Sequence, residues 1–130
     1  MGIHATLWHE FESVFGFNAY RLELLGGLLQ AATSLAQSGC HTIYVGGSFV
    51  TDKEFPADYD GCWDTKDVDK AKLDPVLLDI RDLSNGRSCQ KLKYRGELFP
   101  GTEGWLDFLQ SDRDGVQKGV VAIDLRSLPK

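Results

Sequence analysis

The sequence predicts an α+β domain, an irregular α/β sheet with helices packed against it. Three observations lead there. Apolar residues recur at helical spacing over residues 18–37, the runs HTIYV and GVVAIDL are rich in β-branched and apolar residues, and the two kinds of segment do not alternate regularly. The chain has 130 residues, the size of one domain with a core of its own. Residues 1–130 are read as that single domain, since no repeat, low-complexity segment or linker breaks them.

Taken in order, residues 5–15 carry Leu7, Phe11, Val14 and Phe15 where they can share a helical face, and Gly16 ends the pattern. Asn18 suits the N-cap of a longer helix reaching about residue 37, because its short amide can accept from an otherwise unpaired backbone N–H. Leu22, Leu25, Leu29, Ala32, Leu35 and Ala36 are its expected buried stripe, and Gly39 its stop. Gly26 and Gly27 lie inside this helix, where each costs about 1 kcal/mol relative to alanine, so a close backbone contact is expected there. Residues 41–45 read as a short buried strand and 59–63 as a second, entered from a loop holding Pro56. Asp74 and Pro75 form an N-cap and first-turn pair for a helix to about residue 81. Residues 84–86 read as a turn, 92–99 as a third strand stopped by Pro100 and Gly101, and 104–110 as a short helix. The turn SDRDG follows, and 119–125 is the last strand.

Composition removes several function classes. A net charge of −5 argues against a nucleic-acid coat, and no DNA-binding signature is present. No apolar run approaches the roughly 20 residues of a membrane span, and the first residues do not read as a charged-then-apolar leader. Cys40, Cys62 and Cys89 are widely spaced, without a paired-cysteine metal motif, so reduced thiols in a cytoplasm are expected. His4, His9 and His41 show no metal spacing, and Trp8, Trp63 and Trp105 are expected in the core or a pocket wall.

The chemistry gathers in YVGGSFVTDKEFPADYDGCWD, residues 44–64. A strand ending in Gly46, Gly47 and Ser48 can present backbone N–H groups and a hydroxyl at its carboxyl end, where glycine lets a phosphate approach closely. Asp58 follows ten residues after Ser48, and Asp60 two residues later. Residues i and i+2 of a strand share a face, so the two carboxylates fall side by side and call for a cation. Hard divalent ions take oxygen ligands and bridge carboxylates to substrate phosphates. Taken singly, GGS reads as a plain turn and the aspartates as solvated hairpin acids. Together they match what phosphoryl or nucleotidyl transfer requires. A Walker-type loop is excluded because no Gly-Lys-Ser/Thr is present, and DYDGCWD and SDRDG lack the ligand order and closing glutamate of a calcium loop.

An apolar strand, Gly-Ser, a spacer of about ten and Asp-x-Asp resemble the core motif of the nucleotidyltransferase superfamily related in fold to DNA polymerase β. The likeness extends beyond the motif. Residues 21–64, GELFP at 96–100 and FLQSDRDGVQKGVVAIDL at 108–125 resemble a small bacterial nucleotidyltransferase-like family, so most of the chain is covered. The resemblance implies a nucleotidyltransferase-like mixed sheet with helices packed against it, a nucleoside triphosphate substrate, and Mg²⁺ or Mn²⁺ held by Asp58, Asp60 and a third carboxylate. That third acid, placed at Glu97, would also assist the attacking hydroxyl; similar sequences more often carry aspartate there, one methylene shorter. Gly47 and Ser48 would hold phosphates, with Lys53 in the connecting loop as a further contact. The acceptor would be a hydroxyl of a protein, an RNA end or a small molecule. Analogy with toxin–antitoxin and defence pairs adds a protein partner. Arg113 and Lys118, at and just after the DRDG turn, would neutralise phosphate or an acidic partner. The alternative is a catalytically weakened binding module of the same fold, suggested by the small size, the lack of a recognisable acceptor domain and glutamate at position 97.

Overall fold

The structure, a computed structural model, describes residues 3–78, 89–102 and 119–129. Five strands form one mixed sheet: β1 (Ile3–Leu7), β2 (Thr42–Gly46), β3 (Tyr59–Trp63), β4 (Gly96–Pro100) and β5 (Val120–Asp124), in the spatial order β1-β5-β2-β3-β4. The pairs β1–β5 and β3–β4 are parallel, whereas β2 is antiparallel to both β5 and β3. Three helices accompany it among the described residues: α1 (Trp8–Phe15), α2 (Ala19–Gln37) and α3 (Cys89–Tyr94). This is the mixed α+β architecture that the sequence predicts.

Helix α2 forms as expected at its ends. The Asn18 side chain accepts from the Arg21 backbone N–H, and Gly39 closes the helix at a φ of 102° that disfavours any side chain. Its buried face is rotated from the expected one. Leu24, Leu25, Leu28, Ala31, Ala32 and Leu35 are buried, Leu22 is exposed, and Leu29 and Ala36 are half-buried. Leucines surround much of this helix, so their spacing alone did not fix which stripe meets the sheet. Fully burying one leucine contributes roughly 1.5–3 kcal/mol, and the packing partners decide the rotation. Of the two internal glycines only Gly27 makes a close approach: a Cβ there would lie 2.0 Å from the Tyr94 carbonyl oxygen, whereas Gly26 faces open space.

Two other expectations are corrected. The stretch 5–15 is not one helix: Ile3–Leu7 pairs in register with Val120–Asp124, and the helix starts only at Trp8. Its first N–H groups are met by Glu10, which accepts from Leu7, and by Ser127 Oγ, which accepts from Trp8 at 2.8 Å. Both strand partner and capping hydroxyl come from the far end of the chain, beyond the reach of local periodicity. Accordingly Phe11 is buried, while Leu7 and Val14 are exposed. Likewise 92–99 is not one strand. Helix α3 runs to Tyr94, Arg95 takes a left-handed φ of 69°, and β4 begins at Gly96. Pro100 ends this edge strand, where its missing N–H breaks no ladder.

The strand expected at 41–45 lies one residue later, and the last strand is Val120–Asp124. Asp74 accepts from the Val76 N–H as a cap, but what it opens among the described residues is a short 3₁₀ turn, Pro75–Leu78. The turn at 84–86, the helix at 104–110, the SDRDG turn, and Trp105, Arg113 and Lys118 lie outside the described residues. Trp8 and Trp63 are in the core, and the three histidines are exposed.

The strands divide their side chains between two faces. Ile43, Val45, Tyr59, Trp63, Leu98 and Ile123 join the helices in the main core. On the other face Cys62, Phe99 and Val120 form a second, smaller cluster with Tyr44. Alternation puts Asp60 beside Cys62, and Glu97 beside Phe99, on this second face.

Candidate functional site

The ladder itself brings the expected site residues together. Asp60 lies between Gly46 on β2 and Glu97 on β4, each its direct partner in register. Gly47 begins a 3₁₀ turn, Gly47–Val50, at a φ of 73°, the conformation for which a glycine is needed. A Cβ on Gly47 would lie 3.6 Å from Asp60 Oδ2, so the Gly-Ser turn abuts the second aspartate. Asp58 stands immediately before β3, two residues from Asp60 and on its side of the chain. One carboxylate oxygen each from Asp58, Asp60 and Glu97 lies within 4.8 Å of the others. Two segments, with Asp60 and Glu97 separated by 37 residues of chain, thus supply one all-oxygen donor set.

Tyr59, between the two aspartates, points to the opposite face and fixes this alignment from below. Its hydroxyl donates to the Tyr94 carbonyl at 2.7 Å, and its ring lies where a Cβ on Gly96 would come within 2.6 Å. Any side chain at 96 would push β4 away and carry Glu97 with it. Gln90 Oε1 accepts from the Leu98 N–H at 2.9 Å, which ties β4 back to α3.

The loop between turn and aspartates is itself held. The buried Arg21 guanidinium donates to the carbonyls of Phe15, Phe49 and Lys53, and packs over the rings of Phe17 and Phe49. Asn18 Nδ2 donates to the Glu54 carbonyl, and the Tyr20 hydroxyl to that of Pro56. The first turn of α2 therefore pins the chain at four points between Phe49 and Pro56, just after the glycines and just before Asp58. Arg21, Tyr20 and Gln90 are positioning residues that the sequence reading missed. Arg21 stands out only as a charge among the helix's leucines, and nothing local says that carbonyls await it.

The electrostatics are those of crowded acid. Burial, then the neighbouring Asp58 and Glu97, push the Asp60 carboxyl up to about 6, with Lys91 acting in the opposite sense. Lys91, on α3, reaches across to Asp58 Oδ2 and Glu97 Oε1, at 3.2 Å from each. Burial alone would lower its pKa, but the bonds to Asp58 and Glu97 outweigh that and hold the ammonium above its ordinary value. The sequence pointed instead to Lys53. That side chain is exposed and joins no ion pair among the described residues; its backbone, through Thr51 and Arg21, is what the structure uses. Ser48 is half-buried in the turn, its carbonyl accepting from the Thr51 hydroxyl.

The donor set fits a hard divalent cation: three carboxylates from fixed strands, with a cation, the Lys91 ammonium, already drawn to them. A cleft of about 260 Å³ lies elsewhere, between β1, β5 and α1, lined by His4, Thr6, Glu10, Val14 and Val121 among others. It contains none of these residues, and the carboxylate cluster is the better site because its groups converge on one point.

A family model described as "Family of unknown function (DUF6932)" matches residues 1–124. The chain belongs to this family. The match takes in every residue of the carboxylate site, so the site lies wholly within the family's unit. No curated protein and no solved structure matches the chain. No helix among the described residues is long and apolar enough to cross a membrane.

Proposed function

We propose that the protein is a Mg²⁺- or Mn²⁺-dependent nucleotidyltransferase that moves a nucleoside monophosphate from a nucleoside triphosphate to a hydroxyl acceptor, breaking the α–β phosphoanhydride bond and releasing pyrophosphate. The observation that carries this reading is the meeting of Asp58, Asp60 and Glu97 beside the Gly47 turn. The metal, held by the three carboxylates, would supply charge neutralisation at the phosphates. Gly47 and Ser48 would bind the terminal phosphates through backbone N–H groups and the serine hydroxyl, and the pinned loop would keep that cradle rigid. Glu97, aligned with Asp60, would take the proton of the attacking hydroxyl, so that the chain's contribution is positioning and charge. The acceptor would be a protein, an RNA end or a small molecule, in a toxin–antitoxin or defence setting. The buried free thiols of Cys40 and Cys62 fit a reducing compartment, for which we propose the cytoplasm.

The test is transfer of label from an α-labelled nucleotide. Asp58→Ala with Asp60→Ala should abolish it while circular dichroism shows an intact fold. Undiminished transfer by the double variant would sink the mechanism. A second reading, a weakened site kept for binding a partner, is favoured by Lys91 lying on the carboxylates. Nucleotide at a hundred times its dissociation constant would stabilise the protein by about 2.7 kcal/mol. Absence of a Mg²⁺-dependent thermal shift with any triphosphate would favour that second reading.

A further inference from the structure

We propose that Lys91 is the site's resident counter-ion, which holds Asp58 and Glu97 together until a divalent cation displaces it. This rests on the reading of Asp58, Asp60 and Glu97 as a metal site. The observation behind it is distinct from the acids themselves: a lysine from another element, α3, inserts its ammonium between two of the three candidate ligands, at equal distances of 3.2 Å.

Competition for the same oxygens, rather than net charge, sets the two cations against each other. With all three acids ionised the cluster carries a formal −3, which Lys91 reduces to −2 and a divalent ion alone to −1. An ion coordinated by the oxygens that Lys91 contacts would press against the ammonium, and like charges a few ångströms apart repel by several kcal/mol at the effective dielectric of a protein surface. The lysine is built to yield. Its side chain is one-third exposed, and its four-carbon stem gives the ammonium a path to solvent. It is also built to return, because α3 is tied to β4 through Gln90 and to β3 through the Tyr59–Tyr94 bond, so the stem stays rooted beside Glu97. Metal affinity is thereby set by an internal competitor, which keeps the acids assembled and makes occupancy depend on the metal supply.

The proposal is tested with the wild-type chain, Lys91→Met and Lys91→Arg, with Mn²⁺ binding followed by calorimetry and paramagnetic resonance. Lys91→Met should bind Mn²⁺ about tenfold tighter than wild type or more, a change worth about 1.4 kcal/mol. It should also melt lower than wild type without metal and show the larger upward shift with it. Lys91→Arg, which keeps the charge, should stay near wild type in affinity. Since Lys91→Met risks misfolding, acetylation of wild-type lysines mapped by mass spectrometry gives a second readout. Mn²⁺ should raise the reactivity of Lys91 several-fold while leaving Lys53 unchanged. Wild-type binding with equal or weaker binding by Lys91→Met, or Lys91 reactivity unmoved by Mn²⁺, overturns the counter-ion role and leaves the metal site standing. Lack of Mn²⁺ binding by wild type and Lys91→Met alike removes the metal site, and the proposal with it.

Discussion

The two faces of this sheet are made by the same strands and do opposite things. On β3, Tyr59 and Trp63 enter the helix-covered core, while Asp60 and Cys62, one residue out of step, face the other way. The helix side is tied together at two buried polar side chains: Arg21 has three carbonyl partners, and the Tyr59 hydroxyl has one. The carboxylate side is left over-charged, with Lys91 against three acids. One face holds the fold and the other stores electrostatic tension, and the second is tolerable only because the first holds the strands in register.

That contrast can be broken from its strong side first. Arg21→Leu leaves the buried carbonyl of Phe49 and the part-buried carbonyls of Phe15 and Lys53 without their donor, and a stranded buried polar group costs about 1–3 kcal/mol. A loss of roughly 3 kcal/mol or more is expected in urea denaturation, together with faster proteolysis around residues 49–57. A loss under about 1 kcal/mol would show that the bolt is not structural.

The carboxylate face should respond in the opposite direction. The Asp60 carboxyl titrates near 6 in the folded protein, above its ordinary value of about 4. Its ionisation therefore weakens the fold. The penalty is absent below about pH 4, grows as pH rises through 6 and is complete above it. Asp60→Asn should be more stable than wild type at pH 8, by on the order of 1–3 kcal/mol, and the gain should fade toward pH 4. Equal stability of the two proteins across that range would mean the cluster carries no strain. The same substitution should sharply reduce metal binding, so that stability and binding move in opposite senses.

Lys53→Ala is the smallest expected change, within about 0.5 kcal/mol in stability, because the side chain is exposed and, among the described residues, only its backbone is engaged. A loss comparable to that of Arg21→Leu would assign the loop's anchorage to the lysine rather than to the arginine.

Much of the site was legible because its signals are local. The Gly-Gly-Ser turn, the Asp-Tyr-Asp alternation and the strand 59–63 each depend on neighbouring residues, and the backbone period of two suffices to put Asp58 and Asp60 on one side. Lys91 was not legible. It meets Glu97 only because α3 reverses at Arg95 into β4, a break that the alternation within residues 92–99 concealed. The rotation of α2 was hidden too, since leucines lie on more than one side of that helix and only the sheet chooses among them.

The sequence by itself determined the α+β class, the capped helix from Asn18 to Gly39, the Gly-Gly-Ser turn and the pairing of Asp58 with Asp60, because each follows from patterns within a short stretch of chain. Only the tertiary structure decided that residues 3–7 are a strand, that the loop 49–56 is bolted to α2, and that Glu97 and Lys91 meet the aspartates. Each of these needs a partner far along the chain, and local periodicity carries no information about which distant segment will supply a missing hydrogen bond or charge.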